Sequence, residues 1–212
     1  MADTNELFEI IHTTRAMRRL KPDPVPDGLI RKILEAGVCA PNGGNTQRWR
    51  FLVVKDPAIK RAVQGYYKRA FDEVIGPRYL KSEPPPGVTR EAYHRQHAAV
   101  EYLTNHFHEA PVWIVACLEE GAAPPTRWSG ASIYPAVQNM LLAARALGLG
   151  ATLTTRHLLY EKETEAALGL PSGVHSYAIV PIGYPLGRFG PVGRGPLSEI
   201  VYQDRWGQPY VT

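Results

Sequence analysis

The run Pro111-Val112-Trp113-Ile114-Val115-Ala116-Cys117-Leu118 constrains the fold more than any other stretch, because it carries no polar face. A strand with one side in water alternates apolar and polar residues, whereas near-continuous apolarity fits a central strand covered on both faces. The segment is far too short to cross a bilayer. Helices are visible elsewhere. Leu29 to Cys39 has a helical pattern, and Ala131 to Leu147 repeats Ile133, Val137, Met140, Leu141, Ala144 and Leu147 before Gly148, which is placed as a terminator. Alternating helices and strands indicate a layered α/β or α+β fold. A chain of 212 residues suits one domain spanning 1–212, or one unit sharing its core with a partner. It shows no internal repeat, heptad or low-complexity tract.

Along the chain, Asp3 or Thr4 is the expected cap of a first helix with Leu7, Ile10 and Ile11 on one face, fading at Thr13 or Thr14. Lys21 to Pro26 is too proline-rich for a helix, and Asp27 is placed to cap a second one with Leu29, Ile30, Ile33, Leu34 and Val38 inward. Trp49 to Val54 reads as a buried strand, followed by a helix marked by Ile59, Val63, Tyr66, Tyr67 and Phe71. Gly76 to Arg90, with Pro77 and prolines 84 to 86, reads as a long irregular segment. Residues 76–95 are thus a possible lid, or a solvated basic loop. A helix near Glu91 to His108, a β-prone stretch at Gly150 to Thr155, a short helix near Glu161 to Leu168 and a strand around Tyr177 to Gly183 complete the body. Residues 184–212 form a Gly- and Pro-rich extension whose Leu197 to Tyr202 suits pairing at another sheet edge.

The net charge of +4 is dispersed apart from Arg15, Arg18, Arg19 and Lys21, and no DNA- or RNA-binding signature accompanies that cluster. An anionic small ligand explains it more economically than nucleic acid. Cys39 and Cys117 sit in apolar contexts without C-x-x-C spacing and are expected to be buried free thiols, with no metal site. Met1 to Asn5 lacks a signal-like pattern, so the expectation is a soluble cytoplasmic protein without membrane attachment.

Two elements carry the ligand chemistry. In Pro41-Asn42-Gly43-Gly44-Asn45-Thr46-Gln47-Arg48-Trp49 a helix halts at proline and a polar turn precedes a strand, freeing backbone N–H groups. Upstream, the guanidinium forks of Arg15-Ala16-Met17-Arg18 match a phosphate. Together they resemble the N-terminal signature of the nitroreductase family of FMN oxidoreductases, R-S-x-R followed by P-S-x-x-N-x-Q-P-W. Ala16 replaces the usual serine, losing a hydroxyl contact but keeping the backbone groups, and Arg48 replaces the usual proline and reads as a plain surface residue. Ala146 to Thr155 and Arg194-Gly195-Pro196 also resemble the family, extending the likeness from about Leu7 to Val201.

The resemblance implies a nitroreductase-like α+β fold with a mixed central sheet flanked by helices, in an intertwined homodimer with its C-terminal tail exchanged. It implies FMN at the interface and NADH or NADPH as donor. Arg15 and Arg194 resemble the phosphate-binding arginines, and Arg18 the cation at the N1 and C2 carbonyl edge. Ala16, Met17 and Leu153 adjoin the cofactor. Thr154 falls where relatives place a donor to flavin N5, by backbone N–H or by hydroxyl, with Thr155 following; the alternative is that both merely belong to a strand. Pro41, Asn42, Gly43, Asn45 and Gln47 look like the stretch contributed by the second subunit. No side chain need act as a nucleophile, because hydride chemistry belongs to the cofactor. His157 is a candidate proton donor, although a histidine in a loop is more often a surface residue.

The implied activity is ping-pong hydride transfer from NAD(P)H through the flavin to a nitroaromatic, quinone or similar acceptor. Alternatives are another FMN reaction on the same fold, namely reductive dehalogenation, dehydrogenation or dimethylbenzimidazole synthesis, or a flavin-binding protein without turnover.

Overall fold

The computed structural model describes residues 4–210 except Pro86. Four strands, β1 (Trp49–Val54), β2 (Val112–Glu119), β3 (Gly150–Ala151) and β4 (Val174–Gly183), form one sheet in the order β1-β2-β4-β3. β2 is central. It pairs with β1 from Trp49↔Leu118 to Val54↔Trp113, and with β4 from Val112↔Ile182 to Glu119↔Val174, with one irregularity between Ala116 and Cys117. All pairs among these strands are antiparallel. The sheet within the chain is therefore not mixed: the long helical connection between β1 and β2 returns the chain antiparallel to β1 instead of crossing over to a parallel neighbour.

The alternation of side chains along β2 builds two cores at once. Val112, Ile114, Ala116 and Leu118 face one cluster, with Ile30 and Ile33 of α2 (Asp27–Val38) and Ile133, Val137 and Met140 of α6 (Arg127–Ala146). Trp113, Val115 and Cys117 face the other, with Val63 and Tyr67 of α3 (Pro57–Ala70) and Leu103 of α5 (Arg90–His106). Period-two geometry sends neighbouring residues to opposite faces, and each face is covered by helices. The Trp113 indole N–H donates to the Phe107 carbonyl at 3.1 Å, so its polar atom is satisfied inside the second core.

Local chemistry sets several boundaries. The Asp56 carboxylate accepts from the N–H groups of Ala58 and Ile59 at 2.7 and 3.1 Å and caps α3. Thr126 and Ser129 form a capping box that starts α6 four residues earlier than its apolar pattern, and the helix stops before Gly148. α7 spans Glu161–Leu168 as expected.

Other expectations are corrected. Pro26, not Asp27, is the N-cap of α2; Asp27 is its first helical residue and pairs with Lys55. Val38 is 48% exposed and Cys39 is also exposed, because the inward stripe runs through Ile30, Ile33 and Gly37 and leaves both off it. Gly76–Lys81 is helical (α4), entered from α3 through a π-helical turn at Phe71–Ile75; Pro77 sits in its first turn, where a missing N–H carries no penalty. Among the described residues, irregular chain before α5 is confined to 82–85 and 87–89.

α1 (Thr4–Thr13) leaves Leu7 and Ile11 55% and 42% exposed on the face expected to be inward. The suggested cap at Asp3 lies outside the described residues. In the extension, Leu197–Glu199 makes a short 3-10 turn rather than a strand, and Tyr202 bridges Pro209. Among the described residues no helix is long and apolar enough to cross a membrane.

Candidate functional site

α1 ends where the hydroxyls of Thr13 and Thr14 each donate to a carbonyl one turn back, both at 2.6 Å. These local bonds compete with further helix, and the chain leaves extended. It is then fastened along the sheet's edge: Met17 N–H donates to Ala151 O at 3.0 Å, Lys21 N–H to Tyr184 O at 2.7 Å, and Leu186 N–H to Arg19 O at 3.0 Å. Gly150 makes this close approach possible, since a Cβ there would lie 2.9 Å from both Met17 Cβ and Leu20 Cδ2. Met17 and Leu20 are buried in the second core, which fixes the segment. Met17 thus serves as an anchor.

Beside this segment lies a cavity of about 500 Å³ whose walls include Arg15, Ala16, Arg18, Leu153 and Arg194. α6 contributes Gln138 and Leu141, and the extension contributes Phe189 and Val192. Val192 N–H donates to His12 O at 3.0 Å, which ties the extension across the end of α1.

The cavity is electropositive. Arg145, also in the wall, lies 3.7 Å from Glu9, donates to Thr13 Oγ1 at 3.0 Å and covers the Phe189 ring. Among the described residues Arg15, Arg18 and Arg194 pair with no carboxylate. Burial lowers the affinity of the Arg18 guanidinium for its proton, opposed by the phenols of Tyr67 and Tyr79 and reinforced by Arg15. Uncompensated guanidinium groups around a partly apolar cavity suit an anion attached to a flat or apolar body.

Thr154 stands behind this wall. Its N–H donates to Ile179 O at 3.1 Å and its carbonyl accepts from Ile179 N–H at 2.9 Å. Of the two donor routes expected at Thr154, the backbone one is therefore engaged in the sheet and the hydroxyl is left. That hydroxyl lies 2.9 Å from the phenol of Tyr67. Thr155 is exposed.

His157 departs from expectation. It is fully buried, and neither ring nitrogen has a partner among the described residues. Burial pushes its pKa down to about 4, so the ring is neutral at neutral pH and unsuited to delivering a proton to a substrate.

The second signature element lies elsewhere. Pro41, Asn42 and Gly43 line another cavity, of about 730 Å³, with Arg48, Glu120, Arg127, Trp128 and Ser132. Gly44, Asn45 and Gln47 have φ of 59°, 52° and 50°. A left-handed conformation is uncommon for the two non-glycine residues. Asn42 Oδ1 accepts from Gln47 N–H at 2.9 Å, Gln47 Nε2 donates to Asn45 Oδ1 at 3.3 Å, and Gly43 N–H donates to Ser132 Oγ at 3.2 Å. These bonds hold the turn. Backbone maintained in sparsely populated conformations clusters at functional sites. Thus the structure brings Arg15, Ala16, Arg18, Leu153 and Arg194 together, and sets the Pro41 to Gln47 stretch apart from them within one chain.

Two further residues escaped the sequence reading. The Arg156 guanidinium lies over the rings of Tyr67 and Phe71, 4.4 and 5.0 Å from their centroids, and donates to Thr104 Oγ1. Tyr67 was legible only as one apolar position on α3. The sole sequence signal for Arg156 is its adjacency to Thr155.

A sequence model of the Nitroreductase family matches residues 11–184. An NADH dehydrogenase from Thermus thermophilus is 33% identical over 198 residues, which cover 88% of this chain and 90% of that protein. The crystal structure of a nitroreductase with bound FMN from Desulfitobacterium hafniense shares the fold, with a TM-score of 0.69 at 22% identity over 95% of this chain and 100% of that one. Iodotyrosine deiodinase bound to FMN and 3-iodo-L-tyrosine gives a TM-score of 0.70 at 25% identity, covering 94% and 98% of the two chains.

Proposed function

The chain belongs to the nitroreductase family, and from that premise we propose that it is an FMN-dependent oxidoreductase transferring hydride from NAD(P)H to a nitroaromatic, quinone or similar small acceptor. The observation that carries this reading is the cavity holding Arg15, Arg18 and Arg194 without a carboxylate partner among the described residues. A phosphate on one end of a flat ring system matches that charge and shape. FMN bound there supplies the hydride chemistry, while the protein supplies position, charge and exclusion of water.

In this reading Arg15 and Arg194 hold the phosphate by charge-assisted hydrogen bonds. Arg18 faces the N1 and C2 carbonyl edge, where a cation favours negative charge on the reduced ring. Its partial burial strengthens that effect, because charge is screened less away from water. Ala16 and Leu153 flank the ring through backbone and apolar groups while Met17 anchors the segment beneath them, and the hydroxyls of Thr154 and Thr155 lie toward N5. Pro41, Asn42, Gly43, Asn45 and Gln47 serve the flavin of a partner subunit in a homodimer. Their separation from the arginine cavity within one chain supports that arrangement. The exposed Leu7 and Ile11 give such a partner apolar surface to cover. The end of the extension, beyond Arg194, is the part exchanged between subunits, since Leu186 and Val192 are bonded to this chain's own Arg19 and His12; residues 76–95, which include α4 and the start of α5, act as a lid, and the compartment is the cytoplasm.

The test is anaerobic reduction of FMN-reconstituted protein. Bleaching of the flavin by NADH or NADPH, followed by reoxidation by a nitroaromatic or quinone, is expected. A flavin that stays oxidised with both donors rejects the donor assignment, and a reduced flavin that no acceptor reoxidises points to a carrier. Reductive dehalogenation is the second reading, favoured by the likeness to iodotyrosine deiodinase. Halide release from an iodinated phenol under the same conditions would select it.

A further inference from the structure

The 2.9 Å contact between Tyr67 and Thr154 has a direction that burial dictates. Tyr67 is 1% exposed, and among the described residues its hydroxyl has no partner besides Thr154 Oγ1. A buried donor without an acceptor is expensive, and a phenol is the more acidic of the two hydroxyls. Tyr67 therefore donates and Thr154 Oγ1 accepts. The proton of Thr154 must then leave that line and point to another acceptor. With its N–H and carbonyl both engaged by Ile179, this hydroxyl proton is the one free donor Thr154 keeps.

The phenol is held rigidly enough to impose this orientation. Its ring stacks on Phe107 with centroids 4.1 Å apart, and Phe107 stacks on Trp113 at 4.2 Å. The Arg156 guanidinium lies over the Tyr67 ring and is itself fixed by Thr104. Cation, phenol and hydroxyl form a chain leading from the second core toward the wall that contains Leu153 and Arg18.

We propose that Tyr67 is a positioning residue: by donating to Thr154 Oγ1 it sets the Thr154 hydroxyl as a fixed donor toward the N5 edge of the bound flavin. This rests on the flavin reading above. A fixed donor favours an N5 without a proton, the oxidised form, over the reduced form whose N5 carries hydrogen. Tyr67 thereby lowers the reduction potential through Thr154 without touching the cofactor.

The experiment is a double-mutant cycle read as the midpoint potential of bound FMN and as the dissociation constants of its oxidised and reduced forms. Tyr67→Phe keeps the ring and its stacking and removes only the hydroxyl. It is expected to shift the affinity ratio about three- to tenfold toward reduced FMN, where tenfold is about 30 mV for a two-electron couple. Thr154→Val is expected to shift the ratio in the same direction. In the Thr154→Val background, adding Tyr67→Phe changes nothing, whereas Thr154→Ser preserves the full Tyr67 effect. An unchanged potential in Tyr67→Phe, or an equal shift in both backgrounds, overturns the assignment. Wild-type protein that binds no FMN would instead bring down the flavin reading from which the assignment starts.

Discussion

Arg15 gives the sharpest test of the cavity, because its substitution separates a phosphate contact from general damage. Its side chain lines the cavity, pairs with no carboxylate among the described residues and packs in neither core. Arg15→Ala should therefore fold normally. A charge-assisted hydrogen bond is worth roughly 1.5 to 3 kcal/mol, equivalent to about a ten- to hundredfold change in Kd. Arg15 is exposed, so solvent screening places the effect toward the lower end, near tenfold. Arg194→Ala should behave alike. The assay is fluorescence titration with FMN and with riboflavin, which has the same ring system and no phosphate. Arg15→Ala should weaken FMN and leave riboflavin nearly unchanged, and Arg48→Ala, in the other cavity, should leave FMN binding close to wild type. Equal losses for FMN and riboflavin, or equal FMN affinity in all three variants, would refute the reasoning.

His157 makes stability depend on pH. Its pKa is lowered to about 4 in the fold against about 6.5 unfolded, so between these values the unfolded chain binds more protons. Stability should rise with pH through that window and fall by up to about 3 kcal/mol toward pH 4, and urea titrations of His157→Leu should show a shallower slope there. Cys39 is exposed, whereas burial pushes the Cys117 thiol up to about 12. A thiol reagent should label one cysteine in native protein and both in denaturant. Gly150→Ala should force Met17 and Leu20 outward, lowering stability by about 1 to 3 kcal/mol in urea unfolding and weakening FMN retention together.

Much of the fold was legible because its strongest signals are periodic. The apolar run at β2 anticipated a strand covered on both sides, and the stripes of α2, α6 and α7 located those helices to within a few residues. Composition alone misled elsewhere. Gly76 and Pro77 read as breakers, but a π-helical turn delivers Pro77 to the first turn of α4, where it is tolerated. Cys39 looked buried by its neighbours' character, yet helical phase put it outside. The Arg15 to Arg18 element was legible as an anion site, Arg194 only through the family resemblance, and the fold brings Arg15, Arg18 and Arg194 to one cavity. Local sequence could not show that Thr154's N–H belongs to a bridge with Ile179, or that Tyr67 reaches its hydroxyl across 87 positions of chain. His157 carried no local sign of burial either. Its environment is assembled by distant segments.

Because β2 contributes alternate residues to both cores, neither can melt while the other stays intact. Ile114 packs in one core and its neighbour Trp113 in the other, and a single inserted residue in this strand would exchange the inhabitants of the two faces. Unfolding should accordingly be a single cooperative transition. Thr154 is bridged to Ile179 of β4, which pairs directly with β2, so the cavity wall shares that cooperativity. Heat or denaturant should then leave no population in which the sheet persists and the wall has come apart.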